Sequence, residues 1–155
     1  MGAAYFYHLT QKPLEKALPI LLEKAMQAGW RIEVRGNDEQ RLAWLDEQLW
    51  LGPSDSFLPH GLAGGVQDAL QPILLSLKPT SQANCIISVD GALIDENEVE
   101  VSERICILFN GLDVEQLNGA RQQWKSLTEA GCQAQYWSDE SGRWQKKAEK
   151  NAPNC

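Results

Sequence analysis

The chain has 155 residues, 43% hydrophobic and 23% charged, a length and balance that favour one packed domain over disorder. Its net charge of −7 excludes a broad nucleic-acid-binding surface, because neutralising phosphates takes clustered Lys and Arg. No apolar run reaches the roughly 20 residues of a membrane span. The start MGAAYFYHLTQK lacks the charged and apolar parts of a signal peptide, so a cytoplasmic protein without membrane association is expected.

Residues 3–7, AAYFY, read as a buried first strand. Thr10 and Pro13 mark a helix start, and Leu14, Leu18, Leu21, Leu22 and Ala25 share one face of that helix. Pro19 lies inside it as a source of a kink, and Gly29 ends it. Residues 31–35, RIEVR, alternate as a second strand does. Asn37 or Asp38 caps the next helix, which carries Leu42, Leu45 and Leu49 on one side.

Residues 51–70 are rich in Gly, Pro and Ser and are expected to be largely irregular, yet they hold Leu51, Phe57, Leu58 and Leu62. Strands follow at 72–76 and 85–89, with a turn at Asp90-Gly91. Glu98 and Glu100 alternate with Val99 and Val101, which predicts the wet face of a strand or ribbon. Residues 105–109, ICILF, form the most hydrophobic strand candidate. Asn110-Gly111 turns the chain, Asp113 caps a helix running to about Ala130, and Gly131 stands just past its end. Residues 133–137 suit a last strand, and a polar tail is expected from about 138, apart from Trp144.

Strand and helix signals alternate, so the expected fold is α/β: a three-layer α/β/α domain over residues 1–155 with a mostly parallel sheet. Such a fold often binds nucleotides, but neither G-x-G-x-x-G nor G-x-x-x-x-G-K-[ST] occurs, and no glycine follows the first strand before Pro13. No cofactor is expected. The cysteines Cys85, Cys106, Cys132 and Cys155 form no C-x-x-C pair. His8, at the end of a strand, and His60, in the Pro-Gly-rich loop, are expected to be hydrogen-bonded structural residues. Asp90, Asp95, Glu96, Glu98 and Glu100 lack calcium-loop spacing, and these and Asp113 and Glu115 read as solvated or capping carboxylates. The chain's end is mildly basic, with Arg121, Lys125, Arg143, Lys146, Lys147 and Lys150 against Glu129, Asp139, Glu140 and Glu149. Such an end suits either a solvated tail or an acidic peptide.

Two stretches carry a family resemblance. The first is Leu45-Asp46-Glu47-Gln48-Leu49-Trp50, then Ser56-Phe57-Leu58-Pro59-His60-Gly61-Leu62-Ala63-Gly64, then Pro72-Ile73. The second is Arg121-Gln122-Gln123-Trp124-Lys125, then Ala130-Gly131 and Tyr136-Trp137. In order and spacing these resemble the chi-subunit family of bacterial DNA polymerase III, over nearly the whole chain. The resemblance implies a non-catalytic subunit that links the clamp loader, usually through a small psi subunit, to the acidic C-terminal tail of single-stranded-DNA-binding protein. It implies a nucleotide-binding-like fold without nucleotide binding, and no strong direct DNA binding. It places the psi or clamp-loader interface at Trp50, Phe57, Leu58 and Pro59, and the tail site at Arg121, Trp124 and Lys125. Some members carry Lys where this chain has Leu117, and Arg where it has Thr128, so fewer cations face the tail here. A degenerate nucleotide-binding enzyme and an adaptor of a repair helicase are the competing readings.

Overall fold

A computed structural model of the chain describes residues 3–11, 13–50, 60–62, 72–77 and 83–151. The first strand, β1 (Ala3–Leu9), alternates in burial, with Ala4 and Phe6 fully enclosed. Helix α1 (Leu14–Gln27) runs on through Pro19 and buries Ala17, Leu18, Leu22 and Ala25. It ends in a Schellman closure: Gly29, at φ +81°, donates to the Met26 carbonyl, and Trp30 donates to that of Ala25. A side chain at position 29 would strain that left-handed backbone.

Strand β2 (Ile32–Arg35) leads into α2 (Glu39–Trp50). Asp38 caps α2, its carboxylate accepting from the Gln40 N–H at 3.0 Å, and Leu42, Leu45 and Leu49 pack inward as the spacing predicted. Next come β3 (His60–Leu62), β4 (Ile73–Ser76), β5 (Cys85–Ser88) and α3 (Glu96–Val101). The chain continues through β6 (Arg104–Asn110), α4 (Val114–Glu129), β7 (Gln133–Ser138) and β8 (Gln145–Lys150).

The strands form one eight-stranded sheet in the order β3-β4-β2-β5-β6-β1-β7-β8. Every neighbouring pair is parallel except β7–β8. Leu18, Leu22, Leu42 and Leu45 meet Val34, Ile73, Ile87 and Leu108 on one face. Ala120, Leu127 and Val99 meet Phe6, Ile86, Ile105, Ile107 and Phe109 on the other. This is the three-layer α/β/α arrangement, and each large side chain enclosed between layers contributes about 1.5–3 kcal/mol.

Three sequence expectations need correction. His60 lies in strand β3, paired in parallel with β4, not in an irregular loop. Residues 96–101 form a helix, not a strand or ribbon. Asp95 caps it, in a reciprocal capping box with Glu98, and this local hydrogen bonding outweighs the two-residue alternation. The alternation does not divide wet from dry either, since Val99 is buried and Val101 is 84% exposed. Residues 133–137 are not the last strand: part of the polar tail, Gln145–Lys150, pairs antiparallel with β7 as a fully exposed edge. Lysines along such an edge discourage further strand pairing.

The charged residues of β2 are also buried. Glu33 is 0% and Arg35 4% exposed. The Arg35 guanidinium contacts Glu33 at 2.7 Å and Glu98 of α3 at 2.6 Å, and donates from Nη1 to Glu98 Oε1 at 2.8 Å. Glu98 Oε1 also accepts the Asp95 N–H at 3.1 Å, so one carboxylate ties the sheet to the cap of α3.

Candidate functional site

Helix α4 lies over β6 and β7 near one end of the strand order, whereas α2 contacts β3 and β4 at the other. Trp50, the last residue of α2, and Arg121 in α4 therefore belong to helices at opposite ends of the strand order. Asp113 sets the start of α4 by accepting from the N–H groups of Glu115 at 3.0 Å and Gln116 at 3.2 Å. Gly131, at φ +91°, closes its end, with the Cys132 N–H returning to the Leu127 carbonyl.

With both ends fixed, the helix phase is fixed. Ala120, Gln123 and Leu127 point inward. Trp124 is half-buried, edge-on to Phe6 at 5.3 Å and to Tyr136 at 5.9 Å. Tyr136 in turn holds its hydroxyl 2.9 Å from His8 Nδ1, so His8 is a hydrogen-bonded structural residue as expected. The His8 ring also lies over the turn after β6: a Cβ on Gly111 would sit 1.8 Å from its Nε2.

Arg121 and Lys125 are exposed, one turn apart, on the outer side of α4. Neither forms an ion pair with any described residue. Arg121 nevertheless acts on the ring cluster. Burial raises the Tyr136 hydroxyl pKa, and the Arg121 charge partly opposes that rise. The structure thus brings Arg121, Trp124 and Lys125 onto one helix, as a free guanidinium beside two partly exposed rings. Leu117, at the position where some chi-family members carry Lys, packs against the core. Thr128 turns its hydroxyl back to the Trp124 carbonyl at 2.7 Å. Asn151, just past β8, donates to the carbonyls of Thr128 and Cys132 and latches the end of the sheet to α4.

Trp50 is the last residue of α2. Phe57, Leu58 and Pro59 lie outside the described residues.

Sequence reading missed one group that bears directly on function. In folds of this class a phosphate commonly sits at the loop after the first strand. Here that loop already holds an anion of the chain's own. Asp139, 4% exposed and one residue past β7, accepts from the Thr10 N–H at 2.7 Å, the Thr10 hydroxyl at 2.9 Å and the Gln11 N–H at 3.2 Å. Beside it, a cavity of about 360 Å³ at the strand ends is lined by Thr10, Gln11, Glu15, Arg41, Asp90 and Gln116. Its arginine is already engaged: Arg41 grips Asp90 at 3.0 and 3.1 Å and stacks over Trp44. Among the described residues, no group of three or more His, Cys, Asp or Glu is placed to hold a metal ion. No helix among them is long and apolar enough to cross a membrane.

Two comparisons accompany this geometry. A family model described as DNA polymerase III chi subunit, HolC, matches residues 1–135, which takes in the helix carrying Arg121 and stops short of β8. The chain is also 45% identical over 38 residues to DNA polymerase III subunit chi of Escherichia coli (strain K12). That stretch spans 24% of this chain and 26% of that relative, so only about a quarter of each is matched.

Proposed function

The chain belongs to the DNA polymerase III chi-subunit family, a family of non-catalytic accessory subunits, and we propose that it acts as a docking adaptor. In this reading one 1–155 domain, working in the cytoplasm without a cofactor, joins the clamp loader to the acidic C-terminal tail of single-stranded-DNA-binding protein. The observation that carries it is the exposed, unpaired guanidinium of Arg121 beside the rings of Trp124 and Tyr136. A guanidinium grips a carboxylate with two parallel N–H groups, and the neighbouring rings offer an apolar wall for an aromatic end residue. Lys125 adds a second positive charge one turn on.

The test is a low-salt titration with an acidic peptide ending in Phe, with and without that last residue. Removing the Phe should weaken binding at least tenfold, the loss expected for one buried aromatic anchor. Arg121→Glu should abolish it. Unchanged affinity in Arg121→Glu would take Arg121 out of the site.

Trp50, Phe57, Leu58 and Pro59 are proposed to seat on a psi subunit or directly on a clamp-loader subunit. Aromatic anchors in a Gly- and Pro-bounded segment supply the large apolar contacts that interface hot spots need. Phe57→Ala should leave thermal unfolding unchanged and weaken co-purification with the clamp loader. A variant that unfolds, with no selective loss of partner, counts against this surface. The competing nucleotide-binding reading is disfavoured by Asp139, whose carboxylate takes up the N–H groups a phosphate would use.

A further inference from the structure

On the sheet face opposite α4, at the N-terminal end of β6, Arg104 is held in a setting unlike that of Arg35 or Arg41. Its guanidinium lies 4.1 Å above the Tyr5 ring and 5.3 Å from that of Trp30. Trp30 is placed there by the Gly29 closure of α1, so the clamp is part of the fold. Arg104 forms no ion pair with a described residue, and its buried Nε finds no hydrogen-bond partner. In a chain of net charge −7, a half-buried guanidinium without a carboxylate needs an explanation. Rings that stack on a guanidinium hold its plane and leave N–H groups at its edge for an oxyanion.

Arg104 also lines a small cavity. About 130 Å³ in volume, it is lined by Arg104 together with Tyr7, Lys24, Trp30, Cys85 and Cys106. Among the described residues no carboxylate lines it, and the charged groups there are the two cations Lys24 and Arg104. The hydrogen bond with Cys106, and then burial, push the Cys85 thiol far up, so that thiol lines the cavity as a neutral group. The last-turn carbonyls of α1 near Lys24 are taken up by the helix closure.

We infer that this cavity is an anion site for a phosphate monoester or free phosphate, bound by the Arg104 N–H groups and Lys24 beside the rings of Tyr7 and Trp30. Two cations match the charge of about −1.5 to −2 that such a group carries near neutral pH better than they match a single carboxylate. The site is distinct from Arg121, on the other side of the sheet, and does not depend on the adaptor reading.

The test follows the Arg104 Nε–H and Trp30 indole N–H resonances of the full chain at low salt. Inorganic phosphate, a nucleoside 5′-monophosphate and the parent nucleoside are titrated separately. Both phosphates should shift the two resonances saturably, and the nucleoside should not. Tighter binding of the monophosphate would assign its ring to Trp30 and Tyr7; equal affinities would assign the site to phosphate alone, and either ranking upholds the anion site. Lys24→Gln, an exposed helical change that keeps the fold, should weaken binding about tenfold. Arg104→Lys keeps the charge but loses the fork, and should remove the Trp30 response. No saturable shift with either phosphate, the same shift with the nucleoside, or unchanged affinity in both variants overturns the inference.

Discussion

Arg35→Ala is expected to lower folding stability by about 3–5 kcal/mol, the usual cost of breaking a buried ion pair from one side. Glu33 is 0% exposed, and Arg35 is its partner at 2.7 Å. Without it a carboxylate stays buried next to a cavity. The second partner, Glu98, links the same guanidinium to the capping box of α3, so the loss spreads to that short helix. Urea denaturation should show a lower midpoint with an unchanged slope. The double variant Glu33→Leu/Arg35→Met removes both charges and should recover most of the loss, because apolar replacement of a buried pair is commonly neutral or stabilising. A double variant as unstable as Arg35→Ala would show that shape, not charge, governs the site.

Acid sharpens the test. Desolvation raises the Glu98 pKa, but the hydrogen bonds from Arg35 and the Asp95 backbone, with the Arg35 charge, outweigh it and hold the pKa below the ordinary value. A carboxyl with a depressed folded pKa stabilises the protein above its unfolded pKa, and that stability is lost as pH falls through the lowered folded value. The gap between the parent and Arg35→Ala should therefore narrow on acidification through that window, as Glu98 gives up its charge.

Neither Glu33 nor Arg35 betrays this in the sequence. RIEVR reads as alternation, and alternation normally puts charge in water. β2 is a central strand of a sheet covered on both sides, and all four of its residues are buried. Where local chemistry decides, the sequence is informative: Asp38, Asp113, Gly29 and Gly131 bound their helices at the expected residues. Leu117, Ala120, Trp124 and Leu127 likewise share the inward stripe that helical spacing assigns to them. Where pairing partners decide, it is not. β3 is three residues in a Gly-Pro-rich stretch, and β8 is almost wholly polar, so neither carries an apolar strand pattern. Each exists because a neighbouring strand offers its edge.

The same distinction governs the candidate site. Arg121, Trp124 and Lys125 fall within a span of five residues of one helix, where 3.6-residue spacing is enough to place them together. Their backing is not local. Tyr136, His8 and Phe6 come from strands that only the β1–β7 pairing makes adjacent. Arg104 with Tyr5 and Trp30 is likewise a product of the β1–β6 pairing and the α1 closure.

Asp139 is the strongest case of a role that topology confers, and it yields the second large effect. Asp139→Ala should cost about 3 kcal/mol, because three hydrogen-bond donors of the β1–α1 loop lose a buried charged acceptor together. Those donors are the two N–H groups and the hydroxyl that this fold class ordinarily turns toward a bound phosphate. Removing the carboxylate should turn the loop into an anion nest, so sulfate should raise the unfolding temperature of Asp139→Ala by more than it raises that of the parent, with sodium chloride at matched ionic strength as the control. Asp139→Asn keeps an acceptor of similar shape without the charge, and should fall between the two. Equal sulfate responses in the parent and Asp139→Ala would mean that the loop collapses instead of opening. The carboxylate would then be a structural brace, with no bearing on the chain's lack of a phosphate loop.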